Sequence, residues 1–256
     1  LLVNYNTRFR SRSGRTALSD LLSHLIGTYD ERSTMIQQLL DSLPFLGRGI
    51  RNTFFICIIA LVGAAVLGSV IASLRIASPV MRRLLSVYVD VFRSIPFIIQ
   101  AMWAYFAFPV LIGKSIPAMV AGVMALTLYE AAFFSEIFRA GVLATPAGQS
   151  AAGLSLGMSR SQLQRRVVLP QAVVSMLPVF ASQTVLLIKD SSLLSVIGVT
   201  EVLYQSTQLA SQTFAPVTYL TGAMIFYAVV TYLVTVVFNL VYRHLQRKAG
   251  VAVRSA

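Results

Sequence analysis

Long stretches without a charged residue constrain this chain more than any other feature. Residues Thr53–Leu74 contain no Asp, Glu, Lys or Arg. Comparable stretches follow, and the one beginning at Ser115 contains only Glu130 and Glu136. A helix of roughly 20 apolar residues crosses the hydrocarbon core of a bilayer. Charged residues are 12% of the chain, against roughly 25% in soluble domains. The sequence therefore predicts an all-α integral membrane protein.

About five transmembrane helices are predicted from these stretches, at residues 53–74, 94–113, 115–138, 167–188 and 216–242. An interfacial helix over about Val80–Phe92 is predicted to precede the second span, and Pro96 is predicted to mark the break between them. Pro178 is predicted to kink the fourth span. The polar residues of 204–216 predict a short helix and loop before the fifth span.

The distribution of basic residues predicts the orientation. Lys and Arg accumulate in loops that face the cytoplasm, and five spans place three basic segments on one side: the loop after span one, the loop after span three, and the C-terminal tail. The C-terminus is therefore predicted to be cytoplasmic. The arginines between Arg8 and Arg51 do not fit this orientation, because a five-span topology places them on the outer side of the membrane. The net charge of +12 does not indicate nucleic-acid binding, since the basic residues lie between apolar stretches.

Three regions are predicted along the chain. Residues 1–50 form a basic N-terminal segment, with a surface helix around Ala17–Leu25. Residues 51–244 form the transmembrane domain, with a long cytoplasmic loop at 140–170, and residues 245–256 form a basic tail.

We find no pattern for catalysis or for a cofactor on this chain. The motif IGKS at 112–115 resembles the end of a phosphate-binding loop, but Phe108 stands where that loop requires Gly. His24 and His244 are isolated, which disfavours a metal site, and the single Cys57 excludes an intramolecular disulfide. The sequence therefore predicts a transport subunit, with ATP hydrolysed by a partner protein. The alternative is a stand-alone secondary transporter or channel for a small cationic or zwitterionic solute.

The loop at 140–170 has recognisable helix signals. Thr145 and Pro146 predict a helix start, and Gly157 predicts its end. Ser159 and Gln162 predict a capping box for a second helix. The first helix is rich in small residues, so it is either a docking element for a partner protein or a surface segment lying on lipid head groups.

Four stretches resemble the permease subunits of ABC importers, in the branch for polar amino acids. The segment GQSAAGLSLGMSRSQLQRRVVLPQA resembles the EAA loop of that family, which reads Glu-Ala-Ala, three residues, Gly, nine residues, then Ile-x-Leu-Pro. The other stretches are DVFRSIPFIIQ, SEIFRAGV and LLIKDSSLLSVIGVTEV. Ala replaces the motif Glu, and Gly replaces the second motif Ala. The residues at the coupling positions are Ala151, Ala152, Gly153, Gly157, Leu169 and Pro170.

The resemblance implies a type I ABC importer permease fold in the bacterial cytoplasmic (inner) membrane. It implies a second permease subunit, identical or homologous, and a periplasmic or lipid-anchored solute-binding protein. ATP and Mg would bind a dimer of separate ATPase subunits, and the EAA-type loop would transmit their motion by alternating access. The triplet Glu130-Ala131-Ala132 is not this loop, because Glu136 stands at the motif Gly position.

The intramembrane carboxylates are the candidate substrate contacts. Glu136 and Arg139 are three residues apart on one helix, which predicts a structural ion pair. Glu130 has no basic residue one turn away. It therefore either pairs with Arg93 or Lys189 across helices, or faces a polar cavity and binds a cationic ligand group. The polar residues predicted to share that cavity are Gln100, Ser182 and Gln183, with interhelical hydrogen bonds as the alternative role of the two glutamines.

Overall fold

A computed structural model describes residues 37–249, and all regular structure within that range is helical. The predicted helix at Ala17–Leu25 lies outside the described residues. Helix α1 spans Leu43–Ala77 and begins ten residues before the predicted span, with Pro44 in its first turn, where a missing N–H is tolerated. At about 50 Å it is longer than the hydrocarbon core is thick, and it continues across the predicted domain boundary at residue 51.

The two helical segments that follow α1 are sharply bent against each other. Helix α2 spans Pro79–Ser94 and is capped by the Ser78 side chain. The extended Ile95 and Pro96 then separate it from a helical segment over Phe97–Ile112, inclined at 104° to α2. The predicted helix before the second span and the break at Pro96 are confirmed, and the interfacial position of that helix stays a prediction. The second span is shorter than predicted, because Pro96 and Ile95 end the helical path on its N-terminal side.

The segment after the bend is not a single α-helix. It consists of α3 (Phe97–Met102), a π turn over Trp103–Ala107, and α4 (Phe108–Ile112). Gly113 ends it in the left-handed region, at φ 66°. Pro109 lies in the first turn of α4, and its missing N–H explains why the helix widens immediately before it.

Helix α5 spans Ala118–Leu143, and the short α6 (Ala147–Ser155) follows it. Helix α7 (Arg160–Leu163) continues through a π turn over Gln164–Val168 into α8 (Leu169–Asp190). The second helix predicted in this loop therefore does not end at Arg165 and Arg166, where a separate helix would have stopped before the fourth span. The π turn carries both arginines into α8, and it accommodates Pro170, which cannot donate a hydrogen bond to the preceding turn.

The C-terminal part of the fold begins with a 3-10 helix over Ser191–Ile197, which Gly198 ends at φ 82°. Helix α9 spans Val202–Thr213, and α10 spans Pro216–Ala249. The predicted short helix before the last span is confirmed. α8 is one helix through Pro178, which lies in its interior. The kink at this proline stays a prediction.

Four helical segments of the described range are long and apolar enough to cross a membrane, and a fifth crossing is possible if the bent pair counts as one span. The four are Leu43–Ala77, Ala118–Leu143, Arg160–Ile197 and Pro216–Arg247. This agrees with the predicted all-α membrane protein of about five spans.

α5 lies at the centre of the fold, between α1 and α8, and α10 packs on α8 and α9. α1 meets α5 through a stripe of small buried residues at four-residue spacing: Ala60, Ala64, Gly68 and Ala72. Small side chains let two helix backbones approach closely in a bilayer, where packing replaces the hydrophobic driving force. At Gly68 the approach is close enough that an added Cβ would lie 2.8 Å from the Cβ of Phe134.

Candidate functional site

The short helix α6 projects from the ends of two spans. It packs on α7 and on the following π turn, and most of its side chains are exposed. Ala151 and Ala152 are exposed, and Leu154 and Leu156 are 49% and 84% exposed. The predicted cap at Thr145 is wrong: Pro146 occupies the cap position, without a side-chain hydrogen bond. α6 therefore presents a small-residue surface with two apolar side chains.

Gly157 ends α6 in a Schellman motif. Its N–H donates to the carbonyl oxygen of Leu154 at 3.0 Å, and the N–H of Met158 donates to the carbonyl oxygen of Gly153 at 3.1 Å. Gly157 has φ +79°, which side chains rarely adopt. Its predicted role as the end of this helix is confirmed, and so is the capping box of the next helix, between Ser159 and Gln162.

Gly153 is the one buried residue of α6 among those with described side chains. A Cβ at this position would lie 2.6 Å from Cδ1 of Leu163 in α7. Leu163 therefore occupies the space that the second motif Ala would need, which gives a physical reason for Gly here. The motif Glu is replaced by Ala151, which is exposed, so this position offers no buried site for a carboxylate.

Leu169 and Pro170 begin α8 and are both exposed. Because α7, the π turn and α8 are continuous, α6 is attached through Gly153 and Leu163 to a helical stretch that reaches Ile197.

Glu130 is completely buried where α5 faces α8. Its Oε2 accepts a hydrogen bond from Nε2 of Gln183 at 2.8 Å, and its Oε1 has no partner in the described structure. Neither Arg93 nor Lys189 forms an ion pair with it among the described residues. Arg93 instead lies over the ring of Phe133, 5.3 Å from the centroid. The structure brings two of the four predicted substrate residues together.

Gln100 and Ser182 lie elsewhere. Nε2 of Gln100 donates to the carbonyl oxygens of Phe92 and Ile95, at 2.8 and 2.9 Å. Gln100 lies after the 104° bend, and it therefore supplies a hydrogen-bond donor to carbonyl groups at the C-terminal end of α2 that have no partner within the helix. Ser182 is exposed and donates to the carbonyl oxygen of Pro178 at 3.2 Å. Within residues 37–249, neither side chain hydrogen-bonds to Glu130 or Gln183.

An ion cluster joins three helices at one end of the α1–α5 contact. Oε2 of Glu136 accepts from Arg139 at 2.7 Å, as predicted, and Oε1 accepts from Arg75 at 2.7 Å. Arg75 is 7% exposed and also donates to Oγ of Ser86 in α2 at 3.0 Å. The role of Arg75 was not predicted. Its position three residues after Ala72 places it on the same side of α1 as the small-residue stripe.

Glu201 is a second buried carboxylate that sequence reasoning passed over. It caps α9 by accepting from the backbone N–H groups of Leu203 and Tyr204, at 2.8 and 2.6 Å, and it also accepts from the hydroxyl of Tyr227 in α10. Burial raises the pKa of Glu201 above its ordinary value, and these hydrogen bonds oppose the rise. An acidic residue before an uncharged helical stretch is an N-cap signal that was available in the sequence.

A further contact ties the same region to α1. Asn52 donates from Nδ2 to both the carbonyl oxygen and the hydroxyl of Thr200, at 2.8 and 3.0 Å. The backbone N–H of Val202 donates to the hydroxyl of Thr53. The start of α9 is therefore held by polar contacts to α1 and α10, next to the buried Glu201.

Comparisons with known proteins agree with this architecture. Residues 42–251 match the family described as "Binding-protein-dependent transport system inner membrane component". The chain is 31% identical over 209 residues to the glutamine transport system permease protein GlnP of Escherichia coli (strain K12), covering 81% of this chain and 94% of that protein. It is also 31% identical over 210 residues to the arginine transport system permease protein ArtQ of Bacillus subtilis (strain 168), covering 81% and 95%.

The fold is similar to that of solved transporters. A crystal structure of an amino acid ABC transporter with histidines superposes with a TM-score of 0.71 at 28% identity, covering 82% of this chain and 96% of that chain. The long apolar helices, the projecting α6 and the family match point to the same assignment. The chain therefore belongs to the family of binding-protein-dependent transport system inner membrane components, as a permease subunit of an ABC importer.

Proposed function

We propose that this chain forms part of the path by which an ATP-driven importer moves a polar amino acid, or a close derivative, into the cell. The observation that carries the proposal is α6, a short helix with exposed Ala151 and Ala152, held between two spans by the left-handed Gly157. The solute class is supported by the relatives, whose names give glutamine and arginine as transported solutes.

The proposed coupling step uses α6 as the contact with separate ATPase subunits, which would bind ATP and Mg. ATP binding would close the ATPase dimer and displace α6. The contact of Gly153 with Leu163 would pass the displacement to α7 and α8, which would move as one rigid body. Ala151, Ala152 and Gly157 would form the contact, and Leu169 with Pro170 would mark where the motion enters α8.

The proposed substrate contact is Glu130, oriented by Gln183. One carboxylate oxygen is already bonded to Gln183, and the other is free to accept a hydrogen bond from an ammonium group. That group is the α-ammonium of an amino acid or the cationic side chain of Arg, Lys or ornithine. Glu130 is enclosed in this conformation, so the proposal requires movement of α8 relative to α5 to expose it. Contacts of the solute with Gln100 and Ser182 remain predictions.

The proposed assembly contains a second permease subunit, two ATPase subunits on the cytoplasmic side and a solute-binding protein on the outer side. It lies in the cytoplasmic (inner) membrane of a bacterium, with the C-terminus of this chain in the cytoplasm. The basic residues at the end of α10 support that orientation.

The test is to separate ATP hydrolysis from solute uptake in the reconstituted complex. Gly157→Trp forces a side chain into a backbone conformation that favours Gly, so we expect uptake to be lost while basal ATP hydrolysis persists. Gly148→Ala is the control, because Gly148 lies within α6, which Gly157 ends, and its added Cβ meets no atom within 4 Å. Full uptake by Gly157→Trp would refute the proposed role of α6.

A further inference from the structure

α2 presents an unpartnered apolar stripe. Val80, Leu84, Val87 and Val91 are 62%, 60%, 62% and 46% exposed. Their spacing of three or four residues places them on one side of the helix. The stripe runs nearly the whole length of α2, which ends at Ser94.

The opposite side of α2 is fixed to the protein. Val89 is completely buried. On that side Oγ of Ser86 accepts from Arg75 of α1 at 3.0 Å. Tyr88 lies beside the stripe, one turn from Leu84 and Val91, and its hydroxyl donates to the carbonyl oxygen of Leu128 in α5 at 2.5 Å. The apolar stripe therefore points away from the fold rather than into it.

The charges of α2 are mostly positive. Arg82, Arg83 and Arg93 are exposed, and Asp90 is the only acidic residue of the helix. None of the three arginines forms an ion pair within residues 37–249. α2 is too short and too charged to cross a bilayer alone, and its arginines follow the first span on the side predicted to be cytoplasmic.

We propose that α2 is a binding surface for anionic phospholipids of the cytoplasmic leaflet. The apolar stripe enters the boundary of the acyl chains, and the exposed guanidinium groups bind lipid phosphates. A second copy of this chain fits the surface less well. A symmetric contact would bring the same arginine-rich patch of both copies together. The inference does not depend on which solute is transported.

The test uses one tryptophan as a reporter on the stripe. Trp103 is the only tryptophan of the chain, so Leu84→Trp in a Trp103→Phe background places the sole fluorophore on α2. The full chain is reconstituted in vesicles of phosphatidylcholine with phosphatidylglycerol, and either lipid is supplied with brominated acyl chains that quench tryptophan. Quenching then measures which lipid lies against α2.

We expect phosphatidylglycerol to be preferred over phosphatidylcholine by about fivefold or more. A factor of about five corresponds to the attraction of a single arginine to an anionic membrane surface. Adding Arg82→Gln and Arg83→Gln should lower the preference severalfold, because Arg93, which lies over the ring of Phe133, is then the one arginine left in α2. Adding Arg243→Gln and Arg247→Gln, which removes two exposed arginines at the end of α10, should leave the preference unchanged.

Three outcomes would overturn the proposal. Equal quenching by both lipids would show that α2 does not select anionic lipid. An equal loss of preference in both double-arginine variants would show only a general effect of net charge. No quenching by either lipid would show that protein covers the stripe, as a second copy would.

Discussion

Replacing Gly68 by Ala tests whether close helix approach holds α1 against α5. An added Cβ at Gly68 would lie 2.8 Å from the Cβ of Phe134, 3.0 Å from the backbone nitrogen of Ser135 and 3.1 Å from the carbonyl oxygen of Ala131. None of these atoms is the end of a flexible side chain. The clash can therefore be relieved only by separating the two helices.

The magnitude follows from two opposing terms. Gly→Ala within a helix contributes about 1 kcal/mol of favourable helix propensity. Overpacking a close contact costs about 1–3 kcal/mol, and here the displaced atoms belong to the backbone, which favours the upper part of that range. We expect Gly68→Ala to lower the free energy of unfolding by about 1–2 kcal/mol.

Gly47→Ala is the matched control within the same helix, since its added Cβ meets no atom within 4 Å. It should leave stability unchanged or raise it by up to about 1 kcal/mol. The assay is reversible unfolding in mixed micelles, with helix content and fluorescence as independent probes. Truncating Phe134 to Ala should not restore the stability of Gly68→Ala, because the Cβ atom at position 134 remains. Equal stability of Gly68→Ala and Gly47→Ala would refute the packing argument.

Three further variants test the buried charged groups. Arg75→Met removes one of two cations from Glu136, which keeps Arg139 and is 21% exposed, so it should lower the free energy of unfolding by about 1.5–3 kcal/mol. A loss no larger than that of Arg75→Lys would contradict this. Because burial raises the pKa of Glu201, the folded chain holds this proton more tightly than the unfolded chain does, so the stability from this group is present at low pH and is lost as the pH rises through the folded-state pKa. Glu201→Gln should flatten that part of a stability–pH profile, and an unchanged profile would show that Glu201 does not titrate there. Glu130→Gln should weaken solute binding or change solute selectivity in uptake competition experiments, and unchanged affinity and selectivity would exclude a substrate role.

Local features of this fold could be predicted from the sequence because short-range chemistry determines them. Pro96 removes a donor and ends a helical path, Gly157 adopts a left-handed conformation, and Ser159 with Gln162 forms a capping box over three residues. The long apolar stretches predicted the spans for a similar reason. In the hydrocarbon core every backbone N–H and C=O group must be hydrogen-bonded within the protein, and a helix does this within one segment.

Contacts between distant segments could not be predicted in the same way. α1 is apolar around most of its circumference, so its sequence does not show which face meets α5. The stripe containing Gly68 is visible only once that rotation is known. The partner of Glu130 is Gln183, 53 residues away, and no spacing rule connects them. The sequence places Arg75 just after the first apolar stretch, among the basic residues of a loop, although its side chain turns back to Glu136.

The departure from the EAA pattern depends both on the local sequence and on a contact with another helix. The sequence shows that Gly153 replaces an Ala, but the reason lies in α7, where Leu163 fills the space. A similar argument applies to the lost motif Glu. Its position is exposed at Ala151, so the fold of this chain does not depend on a charge there.

The most direct test of the central claim is solute uptake by the purified complex in sealed proteoliposomes. This chain, co-purified with its ATPase subunits and supplied with the solute-binding protein, should accumulate a polar amino acid only when ATP is present on the side of the ATPase. Uptake should stop when the ATPase subunits are omitted, even with a proton gradient imposed. Accumulation by this chain alone, driven by that gradient without ATP, would contradict the account and identify a stand-alone transporter.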